Sequence, residues 1–129
     1  NALFYFFHAQ LSNYVEQLCI NTSIILESLF GPNANSEISH QIAMNLANHL
    51  QDLENKQNNY NLIKKFYSIR SKLVHGAVEK NKDKLNATVE QVFNLTKLII
   101  KGIILNENLC AIFKSKEKHS VYLNELKFR

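Results

Sequence analysis

Glycine and proline are scarce in this chain of 129 residues, which has three glycines and one proline. Apolar residues recur instead at the three- and four-residue spacing of helices. So few turn-forming residues, combined with that spacing, predict an all-α fold. The length suits one domain with one hydrophobic core and is too short for two, so we expect a single domain over residues 1–129.

Cysteine and long apolar runs are also scarce. Cys19 and Cys110 lie far apart in apolar helical patterns, and neither has a second cysteine at metal-ligand spacing. This favours two buried free thiols in a reducing cytoplasm. No apolar run approaches ~20 residues, and no signal peptide is visible, so neither a membrane span nor a secreted protein is expected. The sequence predicts a cytoplasmic protein that binds no metal or other cofactor.

An initiating methionine is missing, and Asn1-Ala2 resembles the remnant of a protease cleavage. We therefore expect the natural protein to be longer, with part of its function in an upstream region.

Arginine is nearly absent: the chain has Arg70, the terminal Arg129 and thirteen lysines. A solvated positive charge needs only lysine, whereas the planar guanidinium suits a carboxylate or phosphate held in fixed geometry. His75 follows five residues later, and histidine is the side chain best able to exchange protons near neutral pH. This pair suggests chemistry on a phosphodiester. The net charge of +4 favours a polyanionic partner, although many lysine-coated proteins bind no nucleic acid.

The apolar spacing predicts a small up-and-down bundle of about five helices. The expected elements, in chain order, are one or two helices over 3–30, a helix capped by Ser36, a loop at 54–59, a helix over 60–75 ended by Gly76, a linker at 77–84, a helix from Leu85 to Ile103, and one or two closing helices in 106–128.

Most catalytic motifs are missing from the sequence: there is no glycine-rich phosphate loop, nucleophile elbow, paired-cysteine cluster or His-Glu-x-x-His. His40 and His49 lack a carboxylate or cysteine at ligand spacing and are weak candidates, and His8 and His119 are weaker still. Glu27 lies in an apolar stretch. It either has a partner, for which Arg70 is the obvious choice, or sits on an exposed helix edge.

The surroundings of Arg70 are more specific than the Arg-x-x-x-x-His spacing. The motif is Tyr67-Ser68-Ile69-Arg70-Ser71-Lys72-Leu73-Val74-His75-Gly76, preceded by Leu26-Glu27-Ser28-Leu29-Phe30 and by the segment 38–47. This order resembles the Apea-like branch of the HEPN superfamily (higher eukaryotes and prokaryotes nucleotide-binding domains). The resemblance covers residues 11–105 and is sharpest over 67–76.

The resemblance implies a helical bundle that forms a homodimer, with an Arg-x4–6-His motif as a metal-independent endoribonuclease centre. Arg70 and His75 would be the catalytic pair, Glu27 would hold Arg70, and Ser71 would occupy a position that is often asparagine or another polar residue. The expected RNA-binding residues are Lys64, Lys65, Tyr67 and Lys72; the three lysines alternatively form only the solvated face of their helix.

The five-residue spacing of Arg70 and His75 has a geometric consequence. On a regular helix these side chains lie about 140° and about 7.5 Å apart, so they do not share one stripe. Gly76 lets the helix end at His75, and a two-fold dimer can bring two such ends into one cleft. His75 would exchange protons with the ribose 2′-hydroxyl and the leaving 5′-oxygen while Arg70 braces the phosphate, giving a 2′,3′-cyclic phosphate and a 5′-hydroxyl.

Three functions remain open from the sequence. The first is an endoribonuclease of toxin–antitoxin systems or phage defence, with an antitoxin or an upstream domain as a further partner. The second is a module that binds RNA or a nucleotide without cleaving it. The third is a dimerisation domain, in which Arg70 pairs with Glu27 and His75 caps its helix.

Overall fold

The helical spacing of the sequence appears in the structure as six helices, with no strand among the described residues. The structure, a computed structural model, describes residues 2–31, 38–74 and 82–129. In chain order the helices are α1 (Ala2–Phe30), α2 (Ile38–Leu50), α3 (Lys56–Val74), α4 (Lys82–Leu105), α5 (Glu107–Lys114) and α6 (Lys116–Leu126). The prediction of a small all-α bundle is confirmed. The predicted caps at Ser36 and Gly76 lie outside the described residues.

Helix α1 is not broken at its polar segment 21–23. Asn21 accepts a hydrogen bond from the Gln17 side chain (3.0 Å), and the Ser23 hydroxyl donates to the Ile20 carbonyl (2.7 Å). Both bonds lie within one helical turn, so the side chains of Asn21 and Ser23 are satisfied without ending the helix. The buried Thr22 hydroxyl between them has no hydrogen-bond partner among the described residues. Of the two alternatives for residues 3–30, the single helix is correct.

Helix α3 starts earlier than predicted, at Lys56 rather than residue 60. Asp52 accepts hydrogen bonds from the backbone and side-chain N–H groups of Asn55 (3.2 and 2.9 Å), and the Asn55 carbonyl accepts the first helical bond from Asn59 (2.8 Å). This polar run therefore supplies a helix start rather than a loop. The linker predicted over 77–84 also extended too far along the chain, because α4 begins at Lys82 rather than at Leu85.

One hydrophobic core joins the first four helices. α2 packs chiefly on α3, and α1 on α4. The largest core side chains without exposed surface are Leu26, Phe30, Ile42, Leu46, Ile63 and Phe66. The closing segment forms two helices rather than one, because the side chain of Ser115 caps the start of α6 by accepting from the Lys118 N–H (3.3 Å). Both helices contact the end of α1, through Phe113 and His119.

Two buried asparagines of α2 form hydrogen bonds with the ends of other helices. The Asn45 side chain donates to the Phe30 carbonyl at the end of α1 (2.9 Å), and Asn48 donates to the Leu126 carbonyl at the end of α6 (2.7 Å). The last carbonyls of a helix have no backbone partner within that helix. The Leu126 carbonyl also accepts from the Arg129 N–H, beyond the end of α6 (3.2 Å). The asparagines therefore set where α1 and α6 end relative to α2.

The two cysteines are both free, but they differ in burial. Cys19 is fully buried, as predicted, and burial raises the pKa of its thiol to about 11 despite the opposing charge of Arg70. Cys110 is only half-buried, which corrects the expectation for that residue. In the described parts of the chain, none of the helices combines the length and apolar character needed to cross a membrane.

Candidate functional site

Five of the predicted site residues line one surface cavity. The cavity has a volume of about 430 Å³ and lies where α1, α2 and α3 meet. Its lining residues are Glu27, Ile38, Ser39, Lys64, Tyr67, Ser68, Arg70 and Ser71. Positions 64, 67, 68 and 71 of α3 share one helix face because they are three or four residues apart. The structure thus brings Glu27, Lys64, Tyr67, Arg70 and Ser71 together.

Arg70 is held by a buried serine that the sequence did not single out. Its Nε–H donates to the Ser23 hydroxyl oxygen (2.8 Å), and that hydroxyl donates in turn to the Ile20 carbonyl (2.7 Å). Ser23 has no exposed surface, whereas the Arg70 side chain is 34% exposed. The inner edge of the guanidinium is therefore fixed to α1. Among the described residues its Nη groups have only the 4.0 Å contact of Nη2 with Glu27, and their N–H groups are donors of the kind that suit an anion.

Glu27 makes a long ion pair with Arg70. Its Oε1 lies 4.0 Å from Nη2, too far for a hydrogen bond, and the two side chains are 37% and 34% exposed. Such a half-exposed pair adds little stability. Both alternatives for Glu27 are therefore met in part: it contacts Arg70 at long distance, and its side chain is partly exposed. Ser23 supplies the hydrogen bond that positions Arg70.

Tyr67 lines the cavity but is largely buried. It is only 9% exposed, its ring meets Phe66 edge-on, and its hydroxyl donates to the Ser23 carbonyl (3.4 Å). Burial raises the pKa of Tyr67 well above its usual range, and Glu27 adds to the effect, so the phenol stays neutral. Little of the ring remains exposed for stacking on a base. The hydrogen bond of the Tyr67 hydroxyl to Ser23 joins α3 to α1.

The three lysines predicted to bind RNA, all on α3, separate into two groups. Lys64 lines the cavity, and its Nζ donates to the Ser39 hydroxyl (3.0 Å). Lys65 and Lys72 are exposed on the neighbouring stripe of the helix and do not line the cavity. Lys64 is thus the lysine placed to contact the same anion as Arg70.

His75 lies outside the described residues. The described part of α3 ends one residue earlier, at Val74. The distance from Arg70 to His75 and the pairing of two subunits therefore stay predictions from the sequence.

A second cavity adjoins the first along α1. It measures about 640 Å³ and is lined by Glu27, Ser28, Gly31, Lys116, Glu117, His119, Ser120, Val121 and Leu123. The His119 Nε2–H donates to the Leu29 carbonyl in the last turn of α1 (2.7 Å). The sequence made His119 only a weak candidate. No spacing pattern pointed to its contact with Leu29, which lies 90 residues away in the chain. For Ser23 a signal did exist, since it precedes Glu27 by one helical turn.

The histidines of α2 pair with tyrosines. The His40 Nδ1 lies 2.7 Å from the Tyr60 hydroxyl, and the His49 Nδ1 lies 2.6 Å from the Tyr122 hydroxyl. The His49 ring also packs against Phe30, with centroids 5.3 Å apart. These contacts join α2 to α3, α6 and α1, so both histidines have structural partners. No group of three or more metal-ligating side chains occurs within residues 2–31, 38–74 and 82–129.

His49 makes the stability of the bundle pH-dependent. Burial, helped by the charge of Arg129, lowers the pKa of His49 below its ordinary value of 6.5. As the pH falls through that value, the unfolded chain takes up a proton that the folded protein does not, so the free energy of unfolding decreases. We expect urea denaturation to show less loss of stability between about pH 7.5 and about pH 5.5 in His49→Gln than in the unmodified protein. An equal loss of stability in the two proteins would contradict the lowered pKa of His49.

Comparisons of the chain with protein-family models, with curated proteins and with solved structures found no match. The chemistry of the first cavity, the Arg70 cavity lined by Glu27, Lys64, Arg70 and Ser71, is therefore the basis for a function.

Proposed function

We propose that the protein is a metal-independent endoribonuclease of the HEPN type that holds an RNA phosphodiester on Arg70. The observation that carries the proposal is the fixed guanidinium. Arg70 is bound at Nε by the buried Ser23 and lies in a cavity that also contains Lys64 and Ser71. A half-exposed arginine held in this way presents further N–H donors at little conformational cost, which suits a phosphate.

The proposed reaction needs a charge-stabilising group and a proton-exchanging group. Arg70 would donate to the non-bridging phosphate oxygens as negative charge grows on them, and Lys64 would add a second positive charge. A histidine, His75 in the resemblance, would take the proton of the ribose 2′-hydroxyl as the 2′-oxygen attacks phosphorus. The bond from phosphorus to the 5′-oxygen breaks, and that oxygen receives a proton, leaving a 2′,3′-cyclic phosphate and a 5′-hydroxyl.

A homodimer is part of the proposal because Arg70 and His75 do not share one stripe of a regular helix. The second subunit would supply a complementary histidine or arginine to a shared cleft. The proposed setting is the cytoplasm, in a toxin–antitoxin system or in phage defence. A neutralising antitoxin or an upstream domain is the expected further partner.

A second candidate is RNA or nucleotide binding without cleavage. It is favoured by the Arg70 cavity itself, whose cations Arg70 and Lys64 form an anion site without His75. A third candidate, a dimerisation domain, is favoured by the 4.0 Å ion pair between Arg70 and Glu27.

The test is cleavage of end-labelled single-stranded RNA by the purified protein in excess chelator. We expect fragments that end in a 2′,3′-cyclic phosphate, with cleavage abolished in His75→Ala and retained in His40→Gln, whose imidazole pairs with Tyr60. Salt-sensitive binding without cleavage would support the second candidate. If the protein neither binds nor cleaves RNA, the dimerisation domain is the candidate that remains.

A further inference from the structure

The second cavity lies beside the proposed phosphate site, with Glu27 as the wall that both cavities share. Its volume of about 640 Å³ exceeds the 430 Å³ of the Arg70 cavity and is in the usual range for small-molecule sites. A ligand whose phosphate rests on Arg70 can therefore extend along α1 into this space.

The wall formed by α6 is rigidly placed relative to the Arg70 cavity. His119 donates to the Leu29 carbonyl of α1 (2.7 Å), and its ring packs on Phe113 with centroids 4.6 Å apart. The neighbouring Phe30 carbonyl accepts from Asn45 (2.9 Å). The same helix α1 carries Ser23, which positions Arg70, so one rigid element sets the distance between the two cavities.

The charges of the two cavities differ. The Arg70 cavity contains two cations, Arg70 and Lys64, and one carboxylate, Glu27. The second cavity contains one fixed cation, Lys116, and two carboxylates, Glu27 and Glu117. A phosphate group is attracted to the first and not to the second, so the second cavity suits an uncharged part of a ligand.

The remaining lining of the second cavity suits a nucleoside. Val121, which is 53% exposed, and the partly buried Leu123 give an apolar surface for a flat base. The hydroxyls of Ser28 and Ser120 can donate to and accept from base edges and ribose hydroxyls, and the carboxylate of Glu27 can accept from them. Recognition of single-stranded RNA commonly combines stacking of unpaired bases on aromatic or guanidinium planes with hydrogen bonds to their edges. In this cavity the aliphatic side chains of Val121 and Leu123 would take the place of the stacking surface.

We propose that the cavity between the end of α1 and α6 binds the nucleoside next to the phosphate held by Arg70, so that a dinucleotide is the smallest ligand to fill both cavities. This inference rests on the proposed function, because it takes RNA as the ligand of Arg70.

The experiment measures binding of a deoxydinucleoside monophosphate, which lacks the 2′-hydroxyl and cannot be cleaved by the proposed route, and of inorganic phosphate. The variants are Val121→Glu in the second cavity, Ile104→Glu as a matched control at a 64% exposed site of α4, and Arg70→Ala. We expect Val121→Glu to weaken dinucleotide binding about tenfold and to leave phosphate binding unchanged. Ile104→Glu should change neither, and Arg70→Ala should weaken both.

A second measurement does not depend on the stability of the variants. In amide NMR spectra of the unmodified protein, the dinucleotide should shift resonances of residues 116–123, and phosphate should not. Undiminished dinucleotide binding by Val121→Glu, or an equal loss for both ligands, would overturn the inference while the proposed function stands. Failure of the unmodified protein to bind either ligand would overturn the proposed function and this inference with it.

Discussion

Replacing Arg70 by lysine is expected to reduce RNA cleavage by at least about 100-fold, nearly as much as replacing it by alanine. Lysine keeps the positive charge but has no Nε–H at the position that donates to Ser23 and no planar pair of Nη groups. The ammonium group would therefore lose both its anchor on α1 and the two-point grip on the phosphate. The measurement is the single-turnover cleavage rate of a short single-stranded RNA in excess chelator.

The matched control is Lys101→Ala, which removes one positive charge from an exposed position of α4. It should cleave at close to the unmodified rate, because it tests only the loss of net charge. If Arg70→Lys retained more than about half of the activity, positive charge alone would be sufficient at this position, and cleavage would not need the guanidinium geometry.

Replacing Phe30 by alanine is expected to lower the free energy of unfolding by about 3–5 kcal/mol. Phe30 has no exposed surface, and its ring lies 5.3 Å from the His49 ring and 6.4 Å from the Phe113 ring, measured between centroids. The substitution leaves a cavity where α1, α2 and α5 meet. Since small domains are stable by only about 5–15 kcal/mol, this is a large part of the total.

The same substitution at an exposed phenylalanine provides the control for Phe30. Phe128 is 91% exposed, so Phe128→Ala should change the stability by less than about 0.5 kcal/mol. Both values can be read from urea denaturation followed by circular dichroism. Equal effects at Phe30 and Phe128 would contradict the packing at this end of the bundle.

Local patterns in the sequence predicted the helices well and their ends less well. The apolar repeat of Ile42 and Leu46 in α2 and of Ile63 and Phe66 in α3 marked faces that are buried in the structure. The start of α3 at Lys56 was missed because the hydrogen bonds of Asp52 and Asn55 make a helix start from a polar run that also suits a loop.

The candidate site was predicted only in part. Lys64, Tyr67 and Ser71 were expected near Arg70, and they share its cavity because neighbouring turns of α3 place them there. Lys65 and Lys72 were grouped with them in the sequence, but a rotation around the helix places both outside the cavity. His75 and the dimer stay predictions.

The sequence by itself determined the all-α class, the apolar faces of the helices and the presence of one arginine, Arg70, apart from the terminal Arg129. Only the tertiary structure showed that Ser23 binds Arg70, that Asn45 and Asn48 bind the ends of α1 and α6, and that His119 borders a second cavity. The physical reason is that helical periodicity depends on residues three or four apart, whereas these hydrogen bonds join residues 15 to 90 positions apart. These hydrogen bonds depend on the axial position of each helix relative to its neighbour, which the apolar faces alone do not specify.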